Sequence, residues 1–65
     1  MAKVEINRKK IVKRLTREGW TISREGGELE IFDNPEFPGV HIAVPRHRTL
    51  SPGVARAIAR AAGWI

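Results

Sequence analysis

Residues suited to phosphate binding and proton transfer are concentrated in one stretch near the end of the chain, VPRHRTLSPGV at 44–54. A helix start follows the charged part of this stretch, because Ser51 can cap a helix and Pro52 suits the first helical position. The free N–H groups and the dipole at the start of a helix attract anions. We therefore predict that one phosphate is bound jointly by Arg46, His47, Arg48 and Arg56.

The two arginines before this helix have an alternative role, in which they pair at the surface with Glu28 or Glu36 and contribute little to stability. His47 is in addition a candidate for proton transfer, because imidazole titrates close to neutral pH. His41, in the middle of a predicted strand, is more typical of a half-exposed sheet residue. The sequence has no P-loop, no spaced set of metal ligands and no supported Ser-His-Asp arrangement, so we predict neither a cofactor nor a metal.

The first element that must position these groups is a strongly basic helix. Asn7 is a suitable N-cap and Gly19 a suitable stop, which predicts a helix over about 8–18. Its apolar stripe comprises Ile11, Val12 and Leu15. The positions outside the stripe are nearly all cationic, which favours a surface that faces phosphate over an ordinary face of mixed charge. The predicted phosphate-facing side chains of this helix are Lys9, Lys10, Lys13, Arg14 and Arg17.

Three strands are predicted after the first helix, because the apolar period changes from about 3.6 residues to two. The alternating apolar residues are Trp20 and Ile22, then Leu29 and Ile31, then Val40, Ile42 and Val44. Trp20 either opens the first strand or packs back on the helix end. Gly26 and Gly27 are predicted to connect the first two strands, since glycine accepts the positive φ angles of tight hairpin turns. A stiffer loop at 33–39, with two prolines, follows the second strand.

A second helix is predicted from Pro52 to a stop at Gly63. Its apolar side comprises Val54, Ala55, Ile58, Ala61 and Ala62. The order helix, three strands, helix predicts one α+β domain over 1–65, in which both helices cover one face of a three-stranded antiparallel sheet. The other face of the sheet stays open.

The overall composition favours a polyanionic partner. Among 65 residues, 12 Lys and Arg stand against 7 Asp and Glu, and the pI is near 10.8. Nucleic acid is the leading candidate, because each neutralised phosphate releases counterions. The absence of cysteine fits a reducing, cytoplasmic compartment. No apolar run approaches the roughly 18 residues of a membrane span and no export signal is visible, so no membrane contact is expected.

Four ordered stretches cover most of the chain: IVKRLTREGW at 11–20, the hairpin Gly27 with Phe32, VPRH at 44–47 and SPGVARAIARAAG at 51–63. Together they resemble the HicA family, the small toxins of bacterial toxin–antitoxin modules. The resemblance implies a fold of order α-β-β-β-α, similar to the double-stranded RNA-binding domain. It also implies an endoribonuclease that cleaves mRNA without a metal ion and is held in check by a partner antitoxin, HicB.

The resemblance further implies a catalytic position in the first hairpin. In the family, a histidine within Gly-Ser-His or Gly-Gly-His precedes an aromatic residue by three positions, and counting back from Phe32 leads to Leu29. Leucine cannot transfer protons, so the candidates become His47, which matches the VPxH stretch, and the neighbouring Glu28 and Glu30. The alternative is a purely structural hairpin with Leu29 in the core.

Three functions remain open on the sequence alone. The first is a HicA-like, RNA-binding toxin that still cleaves mRNA, with His47, His41 or a hairpin glutamate in place of the histidine. The second is a catalytically silent module of the same fold that binds RNA or an antitoxin. The third is a small DNA-binding regulatory protein, which is disfavoured because residues 8–18 offer mostly Lys and Arg rather than side chains that read base edges.

Overall fold

A computed structural model describes residues 4–65, which form two helices and a three-stranded antiparallel sheet. The elements are α1 (Arg8–Arg17), β1 (Thr21–Gly26), β2 (Leu29–Asp33), β3 (His41–Pro45) and α2 (Pro52–Ala61). The strand order is β1-β2-β3, so each strand pairs with its neighbour in the chain. This arrangement confirms the predicted α+β fold of order α-β-β-β-α. Within 4–65, no helix is long and apolar enough to cross a membrane.

Both helices begin at the caps predicted from the sequence. The side chain of Asn7 accepts a hydrogen bond from the Lys10 N–H, and that of Ser51 accepts one from the Val54 N–H. Gly19 follows α1 with a φ of 98°, an angle that glycine adopts without steric strain. The observed α1 ends one residue before the predicted limit. Local signals therefore predict the helix boundaries well.

The core lies between the two helices and one face of the sheet. Its buried side chains are Ile11, Leu15, Trp20, Phe32, Ile42, Val44, Leu50, Ala55, Ile58 and Ala62. Trp20 precedes β1, and its N–H donates to the Leu15 carbonyl, so it packs on the end of α1. Phe37, in the loop after β2, stacks on the Trp20 ring with centroids 5.6 Å apart. Both helices thus cover the same sheet face, as predicted.

The prediction for the apolar face of β2 is wrong. Phe32 is 1% exposed and Glu30 lies on the same face, opposite Ile42 and Val44 of β3, whereas Leu29 is 42% exposed on the open face. Apolar side chains at both 31 and 32 leave alternation ambiguous, and the larger aromatic ring gains more from burial. The alternative of a structural hairpin with Leu29 in the core is therefore also wrong.

The first hairpin also differs from its prediction. β1 continues through Gly26, so the turn consists of Gly27 and Glu28, and Gly27 supplies the positive φ of 53°. All residues of β1 are exposed, whereas the other edge strand, β3, buries Ile42 and Val44. An irregularity in its pairing follows Ile22, which is 44% exposed rather than part of the core. β1 therefore contributes backbone pairing to the sheet more than it contributes apolar burial to the core.

The buried side of α2 is narrower than predicted. Val54 is 37% exposed and Ala61 is also exposed, although both were assigned to the apolar side. The buried residues are Ala55, Ile58, Ala59 and Ala62. Their spacing of three, four and seven residues is that of a single helical stripe, which excludes the two exposed positions.

Asn34 joins the end of α1 to the loop after β2. It is 4% exposed, its Nδ2 donates to the Glu18 carbonyl at 3.1 Å, and its Oδ1 accepts from the Glu36 N–H at 3.0 Å. Asn34→Ala removes the partners of these backbone groups and is expected to lower the free energy of unfolding by about 1–3 kcal/mol. Urea denaturation measures the change, with Glu36→Ala as control because it keeps the backbone N–H. Equal midpoints for the two variants would contradict this role of Asn34.

Candidate nucleic-acid interface

The segment after β3 is held against the start of α1. The Arg8 N–H donates to the Arg48 carbonyl at 3.0 Å, and the Leu50 N–H donates to the Ile6 carbonyl at 2.8 Å. An isolated antiparallel bridge joins the two backbones between these bonds. The charged loop 46–50 is therefore fixed beside the first turn of α1 as well as preceding α2.

This docking creates an open cleft lined by one aliphatic and four cationic side chains. We name it the cationic cleft, and its residues are Arg8, Lys9, Val12, Arg46 and Arg48. Several positive charges around one opening favour an anion such as phosphate, because their potentials add there. The aliphatic side chain of Val12 provides an apolar part of the wall.

A carboxylate organises the base of the cationic cleft. The Arg8 guanidinium donates to the Glu30 carboxylate and, at 2.7 Å, to the Pro45 carbonyl. Arg46 lies 3.9 Å from Glu30 and 3.3 Å from Glu25. The side chains of Arg8 and Glu30 are only 22% and 14% exposed, so this pair holds its geometry and partly offsets the local positive charge.

Lys9 and Arg48 differ from the other cations of the cleft, because neither forms an ion pair with a residue in the described part of the chain, 4–65. Both side chains are exposed. They are therefore available to an incoming anion without breaking an existing contact. Arg46, by contrast, gives up its solvent-exposed ion pair with Glu25 when it binds an anion. The loss in free energy is small, because exposed ion pairs contribute little to stability.

The structure brings together only part of the predicted phosphate-binding group. Arg46 and Arg48 line the cleft, but His47 between them is exposed and does not line it, and Arg56 lies elsewhere on α2. Arg8 lines the cleft beside Arg46 and Arg48, where Arg56 was expected. The predicted surface pairs of Arg46 with Glu28 or Glu36 are also different. The Arg46 guanidinium approaches Glu25 and Glu30 instead. Glu28 contacts Arg46 only through the backbone, where its carbonyl accepts a hydrogen bond from the Arg46 N–H at 2.8 Å.

The remaining cations of α1 divide into two groups. Lys10, Lys13 and Arg17 are exposed. Arg14 instead lies over the Trp64 ring, 4.2 Å from its centroid, and donates to Glu18 at 3.0 Å. The Trp64 indole N–H donates to the same carboxylate at 2.7 Å. These hydrogen bonds, first from Trp64 and then from Arg14, lower the pKa of Glu18 below its usual value.

The carboxylates proposed from the hairpin lie on different sides of the sheet. Glu28 is exposed in the turn, and Glu30 faces the helices, where Arg8 engages it. Leu29 lies between them on the open face. The hairpin therefore places no proton-transfer group at the position where the family resemblance implies a histidine.

A second polar cluster lies on the open sheet face, at the opposite end of the strands. The His41 Nδ1 is 2.6 Å from Asp33 Oδ1, and the two residues are directly opposite in the β2–β3 pairing. They line a shallow depression with Ser23, Arg24 and Ile31. The hydrogen bond with His41, and then the nearby Ser23 hydroxyl, lower the pKa of Asp33 below its usual value, which favours the charged carboxylate.

Sequence reasoning did not find the contact between Asp33 and His41, although one signal was available. The two residues flank the loop between β2 and β3, and residues that flank a hairpin loop lie opposite each other when the strands pair. In the described residues, 4–65, no group of three or more His, Cys, Asp or Glu side chains could hold a metal ion.

Comparison with models of protein families gives a match over most of the chain. A family model described as the HicA toxin of bacterial toxin–antitoxin systems matches residues 8–64, a range that includes both helices and all three strands. No curated protein sequence matches the chain.

Proposed function

Because the chain belongs to the HicA family of bacterial toxin–antitoxin toxins, we propose that it binds RNA, including mRNA, through the cationic cleft. A toxin of such a system has an antitoxin as its protein partner, and we propose a HicB-like antitoxin for this one. RNA binding does not depend on the histidine that Leu29 replaces. It depends on cations that remain accessible.

The observation that carries this proposal is the pair of accessible cations, Lys9 and Arg48, beside the fixed guanidinium of Arg8. Phosphates dominate the affinity of proteins for nucleic acids, and arginine and lysine are their usual partners. The excess of five positive charges over the whole chain adds long-range attraction to a polyanion. The cleft provides a local position at which one backbone phosphate can be held.

Arg48→Ala is expected to weaken RNA binding across sequences and to reduce the slope of log K against log salt by about 1. The matched control is Arg60→Ala, which removes the same charge from an exposed position of α2 outside the cleft. The control should leave the slope nearly unchanged. Equal slopes for the two variants would mean that net charge, and not the cleft, determines binding.

Competition separates RNA binding from the alternative of a DNA-binding regulator. Labelled single-stranded RNA is bound first, and unlabelled duplex DNA, duplex RNA or single-stranded RNA is then added. The proposal expects RNA competitors to be more effective, because the 2'-hydroxyl and the single-stranded bases offer contacts that duplex DNA lacks. Stronger competition by duplex DNA would favour the regulatory function instead.

A further inference from the structure

The Asp33–His41 pair has the arrangement of an imidazole oriented for proton transfer. Asp33 engages Nδ1 at 2.6 Å and so leaves Nε2 directed away from the pair, while the His41 side chain is 62% exposed. A base held by a third group in one orientation is a recurrent pattern in catalysis. We propose that His41 is the catalytic residue of a metal-independent RNA cleavage on the open sheet face, and that Asp33 is its positioning residue.

The proposed reaction is an internal transfer of the phosphoryl group and needs no external oxidant or metal. His41 Nε2 takes the proton of a ribose 2'-hydroxyl, and the 2'-oxygen forms a bond to the adjacent phosphorus. The bond between phosphorus and the 5'-oxygen breaks, and the imidazolium returns the proton to that oxygen. The products are a 2',3'-cyclic phosphate and a free 5'-hydroxyl, so atoms and electrons balance.

The neighbours of the pair suit this chemistry. Arg24 lines the same depression and supplies a positive charge for the phosphate oxygens, while Ile31 supplies an apolar surface for a base or ribose. Ser23 lines the same depression, where its hydroxyl donates to the Ile31 carbonyl at 3.3 Å. A charged Asp33 accepts a hydrogen bond from a proton on Nδ1, so Nε2 is the ring nitrogen that can exchange a proton with the substrate.

This inference rests on the proposed RNA binding. The cationic cleft opens on the helix side of the sheet and His41 lies on the open face, so one bound strand reaches both sites by passing around the outer strand β3. His41 and Arg46 are five residues apart along β3 and its continuation, or about 16 Å in extended chain. Stacked nucleotides rise about 3.4 Å each, so roughly five nucleotides cover this distance. The pair is also separate from the hairpin position, because Leu29 lies four residues from Asp33 along β2, about 13 Å away.

The test uses end-labelled single-stranded RNA in EDTA, with cleavage and binding measured on the same protein preparations. The unmodified protein should produce 2',3'-cyclic phosphate ends, and His41→Ala should lower kcat at least 100-fold with little change in affinity for RNA. Added imidazole should partly restore cleavage by His41→Ala, which a purely structural role would not allow. His41→Asn repeats the test with a polar side chain.

Asp33→Asn should lower kcat while leaving KM nearly unchanged, and Glu36→Gln, which neutralises an exposed carboxylate outside the depression, should not. An unmodified protein that binds RNA without cutting it would overturn this inference and leave the proposed function intact. Undiminished cleavage by His41→Ala would also overturn it. Absence of RNA binding would contradict the proposed function itself, and the binding measurement reveals that before cleavage is compared.

Discussion

Leu29→His is expected to raise the rate of RNA cleavage by roughly 100-fold or more over the unmodified protein, within the range that a placed general acid or base contributes. Leu29 is 42% exposed on the open face, so imidazole is accommodated there without disturbing the core. It pairs with Pro45, the residue before Arg46, and neighbouring strands are only about 5 Å apart. Position 29 faces the open side whereas Arg46 reaches toward Glu30 on the helix side, so the gain requires an RNA strand that continues from the cleft onto the open face.

The same RNA cleavage assay in EDTA measures this gain, with Leu29→Gln as the control of similar size without a titrating group. Combining Leu29→His with His41→Ala separates the introduced imidazole from the native one, and the double variant is expected to keep most of the gain. RNA that is bound with unchanged affinity but cut no faster would show that the scissile phosphate does not approach the hairpin.

Phe32→Ala is expected to leave most of the protein unfolded at 25 °C. Phe32 is 1% exposed at the centre of the only sheet in the described residues, and truncation of a buried phenylalanine lowers stability by about 3–5 kcal/mol. A core of this size rarely supplies more than about 3–5 kcal/mol in total. The substitution therefore removes an amount comparable with the whole free energy of unfolding.

Circular dichroism and urea denaturation measure this loss. Phe37→Ala is the matched control, because that ring is 45% exposed and contacts the core mainly by stacking on Trp20. The control should remain folded with a smaller shift of the urea midpoint. A folded Phe32→Ala protein with the midpoint of the control would contradict the assignment of Phe32 to the core.

Features of the fold that depend on local signals were predictable from the sequence. Asn7 and Ser51 cap their helices as expected, and Gly19 takes the positive φ that ends α1. The capping oxygens and the helical N–H groups that they satisfy are only three residues apart, so the sequence contains both partners of each contact. The element order follows from these boundaries and from the change of apolar period.

The face of each strand was less predictable, because it depends on which partner the strand packs against. Leu29, Ile31 and Phe32 fit either face by type, and burial of the largest ring decided between them. The same choice turned Glu30 inward and made it part of the cationic cleft. An inward carboxylate is acceptable there only because Arg8, 22 residues earlier, provides its partner.

The candidate site was predicted in part for a related reason. Basic residues in α1 and in loop 46–50 were identifiable by type, but their juxtaposition depends on backbone hydrogen bonds such as that from Arg8 to Arg48. The contact between Trp64 and Glu18 joins residues that are 46 positions apart in the chain. Because Arg14 stacks on this Trp64 ring and donates to the same carboxylate, it is no longer a freely exposed cation. No pattern within a short window contains that information.

The joining of loop 46–50 to the start of α1 also determines when the binding site arises during protein synthesis. The ribosome delivers α1, with half of the Lys and Arg residues of the chain, well before it delivers Pro45 and Arg48, which complete the cleft around Arg8. At about 5–20 residues per second, this interval lasts roughly 2–8 seconds. A nascent chain thus carries half of its cationic side chains before it has the cleft, so the cleft forms only late in translation.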